Sequence, residues 1–93
     1  MQLNNRTVHL LIKGKVQGVY YRVSAKKIAE EYGITGWIKN TKEGDVEAVA
    51  GGSNEAVTNF IEWCKKGPRN ASVTDVIITD MAIESHETFI IKR

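Results

Sequence analysis

Cysteine and proline are almost missing from this 93-residue chain, which has one of each, Cys64 and Pro68. A lone thiol cannot close an internal disulfide, so packing and backbone hydrogen bonds must hold the fold, as suits a reducing compartment. No apolar run approaches the roughly 20 residues a membrane-spanning helix needs, and residues 1–6 lack the apolar stretch of a secretory signal. The expected location is the cytoplasm, with no membrane partner. His9 and His86 stand far apart without a companion Cys or His at ligand spacing, so neither a metal site nor a cofactor is expected. Repeats, linkers and low-complexity segments are also lacking. A chain this short has interior for one core, so residues 1–93 are read as a single domain with residues 1–6 as a flexible lead-in.

Charge is present and unevenly placed. Residues 1–42 carry eight Lys or Arg against two acids, whereas residues 43–93 carry five against nine. From Lys13 to Lys27 the cations Lys13, Lys15, Arg22, Lys26 and Lys27 have no acid among them. Such a stretch creates a positive potential that can concentrate an anion, with nucleic acid and small phosphates as candidates. It is equally the solvated face of a helix whose partners lie in the second half of the chain.

Hydrophobic periodicity orders the chain. Thr7 to Lys13 reads as a strand, with Val8, Leu10 and Ile12 on one face, ended by Gly14. Tyr21, Ala25, Ile28, Ala29 and Tyr32 recur at helical spacing, and Gly33 is the expected cap. Thr35 to Asn40 and Asp45 to Ala50 are strand candidates joined by the hairpin Thr41-Lys42-Glu43-Gly44. Gly51-Gly52-Ser53-Asn54 is expected to break the strand and cap a second helix, whose apolar face is Val57, Phe60, Ile61 and Cys64 and which Gly67-Pro68 stops. Val73 to Ile83 and Phe89 to Lys92 complete the strands. The order predicts an α+β, ferredoxin-like split βαββαβ sandwich: an antiparallel sheet, two helices on one face, and a short extra C-terminal strand.

Between the first strand and first helix lies Gly14-Lys15-Val16-Gln17-Gly18-Val19-Tyr20-Tyr21-Arg22. Free N–H groups at a helix start suit an anion there, and glycine lets a ligand approach the main chain. The Arg22 guanidinium can give two parallel hydrogen bonds to phosphate oxygens. A glycine-containing turn followed by arginine also occurs without any ligand. The loop is no Walker sequence, because the G-x-x-x-x-G-K-[ST] spacing is absent.

Gly14 to Arg22 resembles the first acylphosphatase signature, G-x-V-Q-G-V-x-[FY]-R, at every fixed position. Gly36-Trp37-Ile38-Lys39-Asn40-Thr41-Lys42-Glu43-Gly44-Asp45-Val46 is similar to the second, with Ile38 where the family usually has a smaller residue. The resemblance extends from about Val8 to Ile91. It implies an enzyme that cleaves the anhydride of a carboxylic acid and phosphoric acid, with an acyl phosphate as substrate and inorganic phosphate as product and inhibitor. It further implies a phosphate cradle of Val16, Gln17, Gly18, Val19, Tyr20, Tyr21 and Arg22, with Arg22 fixing the phosphate and Asn40 positioning water. The chemistry agrees. A carboxylate leaves without help from a general acid, and phosphoryl transfer to water needs mostly positioning and charge stabilisation.

Other residues have plainer readings. Cys64-Lys65-Lys66-Gly67-Pro68-Arg69 is one residue short of the C-x5-R phosphatase loop, and Cys64 falls on an apolar helix face, as core. Trp37, Trp63, Phe60 and Phe89 are expected in the core, His9 on the open face of the sheet, and Tyr20 either toward the acyl group or in solvent. Lys13, Lys15, Lys26, Lys27, Lys39 and Lys42 either steer anions or keep the chain soluble. A non-catalytic module binding nucleic acid or a phosphorylated small molecule is the alternative. The absence of a K/R-G-F/Y-G/A-F-V-x-F/Y strand counts against RNA recognition. A domain of a larger maturation enzyme is a third reading, and a monomer is the expected state.

Overall fold

Alternating apolar side chains set the first strand, β1 (Asn5–Lys15), whose Val8, Leu10 and Ile12 are fully buried. The computed structural model describes residues 5–92. Helix α1 (Tyr21–Tyr32) follows, then β2 (Thr35–Asn40), β3 (Val46–Ser53), α2 (Asn54–Lys66), β4 (Ser72–Met81) and β5 (Phe89–Ile91). Asn5 and Arg6, expected in a flexible lead-in, are strand residues opposite Ser53 and Gly52. The rest of that lead-in, residues 1–4, lies outside the described residues.

The strands form one sheet in the order β4-β1-β3-β2-β5. β1 pairs antiparallel with β3 and β4, and β3 antiparallel with β2. The ferredoxin-like α+β architecture is as expected, with one correction: β5 runs parallel to β2, so the sheet is mixed. A tight hairpin cannot join parallel neighbours, and the segment after β4 carries the chain to the opposite edge of the sheet. Val57, Phe60, Ile61 and Cys64 of α2 and Tyr21, Ala25 and Ala29 of α1 meet the buried residues of β1, β2 and β3 in one core.

Three glycine readings change. Gly14 does not end β1; it sits at a register shift against β4 with φ 123°, where an added Cβ would lie 2.2 Å from the Ser72 carbonyl oxygen. Its smallness serves strand approach rather than ligand approach. Gly51 and Gly52 do not break β3, which runs on to Ser53. Ser53 caps α2, its hydroxyl accepting from the Ala56 N–H at 3.1 Å. Gly33 closes α1 in the left-handed conformation, as expected.

Trp37 and Trp63 also differ from expectation. Gly36 and Ile38 are buried, so the two-residue period turns Trp37 to the open face. There Lys92 lies 4.3 Å and Lys39 5.7 Å from its ring centre. Trp63 is half-buried against the core, with Tyr21 at 5.4 Å. Phe60, Phe89 and Cys64 are core, and His9 faces outward beside Glu47 at 2.7 Å.

Candidate active site

β1 and β2 end at the same margin of the sheet because Val46 of β3 pairs with Ile12 on one side and with Asn40 on the other. Two strand spacings, about 10 Å, therefore separate the end of β2 from the strand that feeds the loop. The loop bends back across this gap. Gly18 at φ 75° and Tyr20 at φ 62° are both left-handed, a pattern that turns successive N–H groups toward one concave side. From Gln17 to Val23 the backbone N–H groups donate to no protein acceptor among the described residues. Part of this set is inherent in a helix start, whose first N–H groups have no partner within the helix.

Arg22, the second residue of α1, is half-buried and enters no ion pair among the described residues. It shares with Asn40 a pocket of about 440 Å³, whose other walls are Val16, Gln17, Gly18, Tyr20, Tyr21 and Val23. The side chain of Val19 turns into the core instead, leaving only its backbone to the loop. Asn40 stands at the last position of β2, and its side-chain Oδ1 is buried without a hydrogen-bond partner. Leaving a buried carbonyl oxygen unmet costs about 1–3 kcal/mol, so a donor entering the pocket would relieve it.

Gln17 joins the two halves. Its Nε2 donates to the carbonyl of Thr41 at 2.9 Å and to that of Asp45 at 2.8 Å. Inside the hairpin Thr41 N–H donates to Asp45 O at 2.9 Å and Asp45 N–H to Thr41 Oγ1 at 3.1 Å. Lys13 holds Asp45 from β1 at 3.0 Å. Sequence reasoning placed Gln17 in the cradle for its backbone and missed this bridging role of its carboxamide. Val23 as a pocket wall was also missed; its place off the apolar stripe of α1 was the available signal.

Tyr21 anchors the loop from beneath, its hydroxyl donating to the Cys64 carbonyl at 2.7 Å. Burial, with Cys64 beside it, raises the Tyr21 phenol well above its ordinary value. Burial likewise pushes the Cys64 thiol up to about 12, opposed in part by Tyr21. Both are neutral structural groups. The pocket walls hold no carboxylate, imidazole or thiol, so their chemistry is that of a cation, two amides, the Tyr20 phenol and backbone donors. Of the six lysines considered for steering, Lys13, Lys26 and Lys39 are engaged with Asp45, Glu30 and Glu47.

A family model described as Acylphosphatase matches residues 8–91. An acylphosphatase of Methylococcus capsulatus is 45% identical over 83 residues, spanning 89% of this chain and 90% of that protein. An acylphosphatase structure from Coxiella burnetii aligns at TM-score 0.92 with 39% identity, over 96% of this chain and 94% of the other. The acylphosphatase structure from Bacillus subtilis gives TM-score 0.92 and 32% identity, over 95% and 99%.

Proposed function

The chain belongs to the acylphosphatase family and hydrolyses the carboxyl-phosphate anhydride of acyl phosphates, and from that premise we propose that Arg22 and the loop amides hold the phosphoryl group while Asn40 holds the attacking water. The observation that supports this division of labour is that Asn40 lines the same pocket as Arg22 and carries a side-chain amide whose Oδ1 has no protein partner. A water hydrogen-bonded to the Asn40 amide group is held beside a phosphate seated on the N–H groups of residues 17–22. Asn40 does not ionise near neutrality, so it orients the water without taking its proton.

The bond from phosphorus to the acyl oxygen breaks as the water oxygen bonds to phosphorus. The carboxylate leaves with the bonding pair, needing no proton because its conjugate acid has a pKa of about 4. The proton of the water passes to a phosphate oxygen, since the pocket walls offer no carboxylate or imidazole base. Charge on the equatorial oxygens meets the Arg22 fork and the amides, already in place before reaction.

A cytoplasmic location accords with a single unpaired cysteine. The test is benzoyl phosphate mixed with the protein in EDTA, following loss of the anhydride against a protein-free control. Acceleration with competitive inhibition by inorganic phosphate is expected. Absence of acceleration would leave a phosphate-binding module.

A further inference from the structure

Burial grades the pocket from floor to mouth. Val16 and Tyr21 are each 1% exposed and close its base, whereas Tyr20 is 79% and Val23 60% exposed while still lining the walls. Tyr20 is peculiar on a second count. It is the one non-glycine residue with positive φ among the described residues, at φ 62° and ψ 25°, and its side chain makes no capping hydrogen bond to α1. Bulky side chains rarely adopt that backbone, which glycine or asparagine takes more readily. Neither local conformation nor core packing therefore accounts for an aromatic ring here. Val23, three residues on, brings an isopropyl group to the same mouth on an exposed helix face.

Resting on the catalytic reading above, we propose that Tyr20 and Val23 form an apolar rim that receives the acyl group and selects acyl phosphates with aromatic or branched apolar chains over acetyl phosphate. With the phosphoryl group held at the loop amides and Arg22, the acyl chain extends toward the mouth, where these two side chains stand. An acetyl group is too short to cover both. A benzoyl ring lies against the phenol and the isopropyl group together and removes apolar surface of all three from water. Arg22, the one charged side chain of the pocket walls, is taken up by the phosphoryl group, so a charged acyl chain gains no free partner at the rim.

The test compares kcat/KM for benzoyl phosphate with that for acetyl phosphate in the unaltered protein, Tyr20→Asn, Tyr20→Phe and Val23→Thr. Asparagine keeps the left-handed backbone accessible, and threonine keeps the shape of valine while replacing one methyl by a hydroxyl. Damage to the shared phosphate cradle cancels in the ratio. The unaltered protein is expected to favour benzoyl phosphate. The ratio should fall about five- to tenfold in Tyr20→Asn, fall less in Val23→Thr, and persist in Tyr20→Phe. Turnover of both substrates with an unmoved ratio in Tyr20→Asn and Val23→Thr would overturn the rim alone. A protein that accelerates neither substrate would overturn the catalytic reading and the rim with it.

Discussion

The Gln17 side chain donates to the Thr41 carbonyl at 2.9 Å, tying the loop after β1 to the residue that follows Asn40. A second bond from the same nitrogen, to Asp45 O at 2.8 Å, makes the carboxamide a clamp across the hairpin. The two segments that line the pocket are thus joined across 24 residues of sequence by one side chain.

Gln17→Glu tests that clamp, because a carboxylate cannot donate to either carbonyl. Misplacing a reacting group by about 1 Å can lower rate by roughly 100-fold. We expect kcat to fall by about 10- to 100-fold while competitive inhibition by phosphate changes much less. Equal losses in both would assign Gln17 to holding the phosphate itself.

Arg22→Ala tests the proposed phosphate-holding role by removing a charged fork from the pocket. Turnover should fall by on the order of 100-fold or more, and phosphate inhibition should weaken with it. Arg22→Lys should recover little, because an ammonium cannot reproduce two parallel bonds. Steady-state kinetics with phosphate as inhibitor reads both effects.

Asn40→Ala separates water from phosphate. Phosphate affinity should persist, whereas kcat should fall by on the order of 100-fold. The same variant removes a buried unmet oxygen, so its urea midpoint should be unchanged or raised. Near-normal turnover would move the water to another group.

Gly36 and Gly33 both have positive φ but differ in their surroundings. A Cβ on Gly36, φ 138°, would lie 1.9 Å from the Val49 carbonyl oxygen, while one on Gly33 meets nothing within 4 Å. Gly36→Ala should lose at least about 2 kcal/mol, and Gly33→Ala about 1 kcal/mol, from backbone strain alone. Urea denaturation of the two variants checks the contrast.

Alkaline pH should weaken the fold through the Cys64 thiol. Its value rises from 9.0 to about 12 in the folded chain, so above pH 9 the unfolded chain loses a proton that the native one keeps. Stability is therefore full below pH 9 and declines toward pH 12, by up to about 1.4 kcal/mol per pH unit. The raised Tyr21 phenol acts in the same direction. Urea midpoints between pH 7 and 11 should fall less steeply in Cys64→Ala than in the unaltered chain.

Local pattern was enough to read β2 over Thr35–Asn40, the apolar face of α2, that of α1 except for Tyr32, which is exposed, and the placement of Arg22 at a helix start. These depend on neighbours within a few residues, where side-chain period and capping act directly. Trp37 was legible too, because the two-residue period of β2 puts it on the face opposite Gly36 and Ile38. The fit of Gly14 against β4, the parallel pairing of β5 and the run of β3 through its glycines were not, because each is set by a strand distant in the chain.

By itself the sequence determined the local elements, the glycine loop with its arginine, and through two motifs the family and its chemistry. Tertiary structure decided that Asn40 faces that loop at all. Nothing near Asn40 in sequence brings it to Arg22; the shared partner Val46 and the Gln17 clamp do so, across three strands and a hairpin. The physical reason is range: helix and turn preferences act over a few bonds, whereas a site built from two strand ends exists only once the sheet between them has paired.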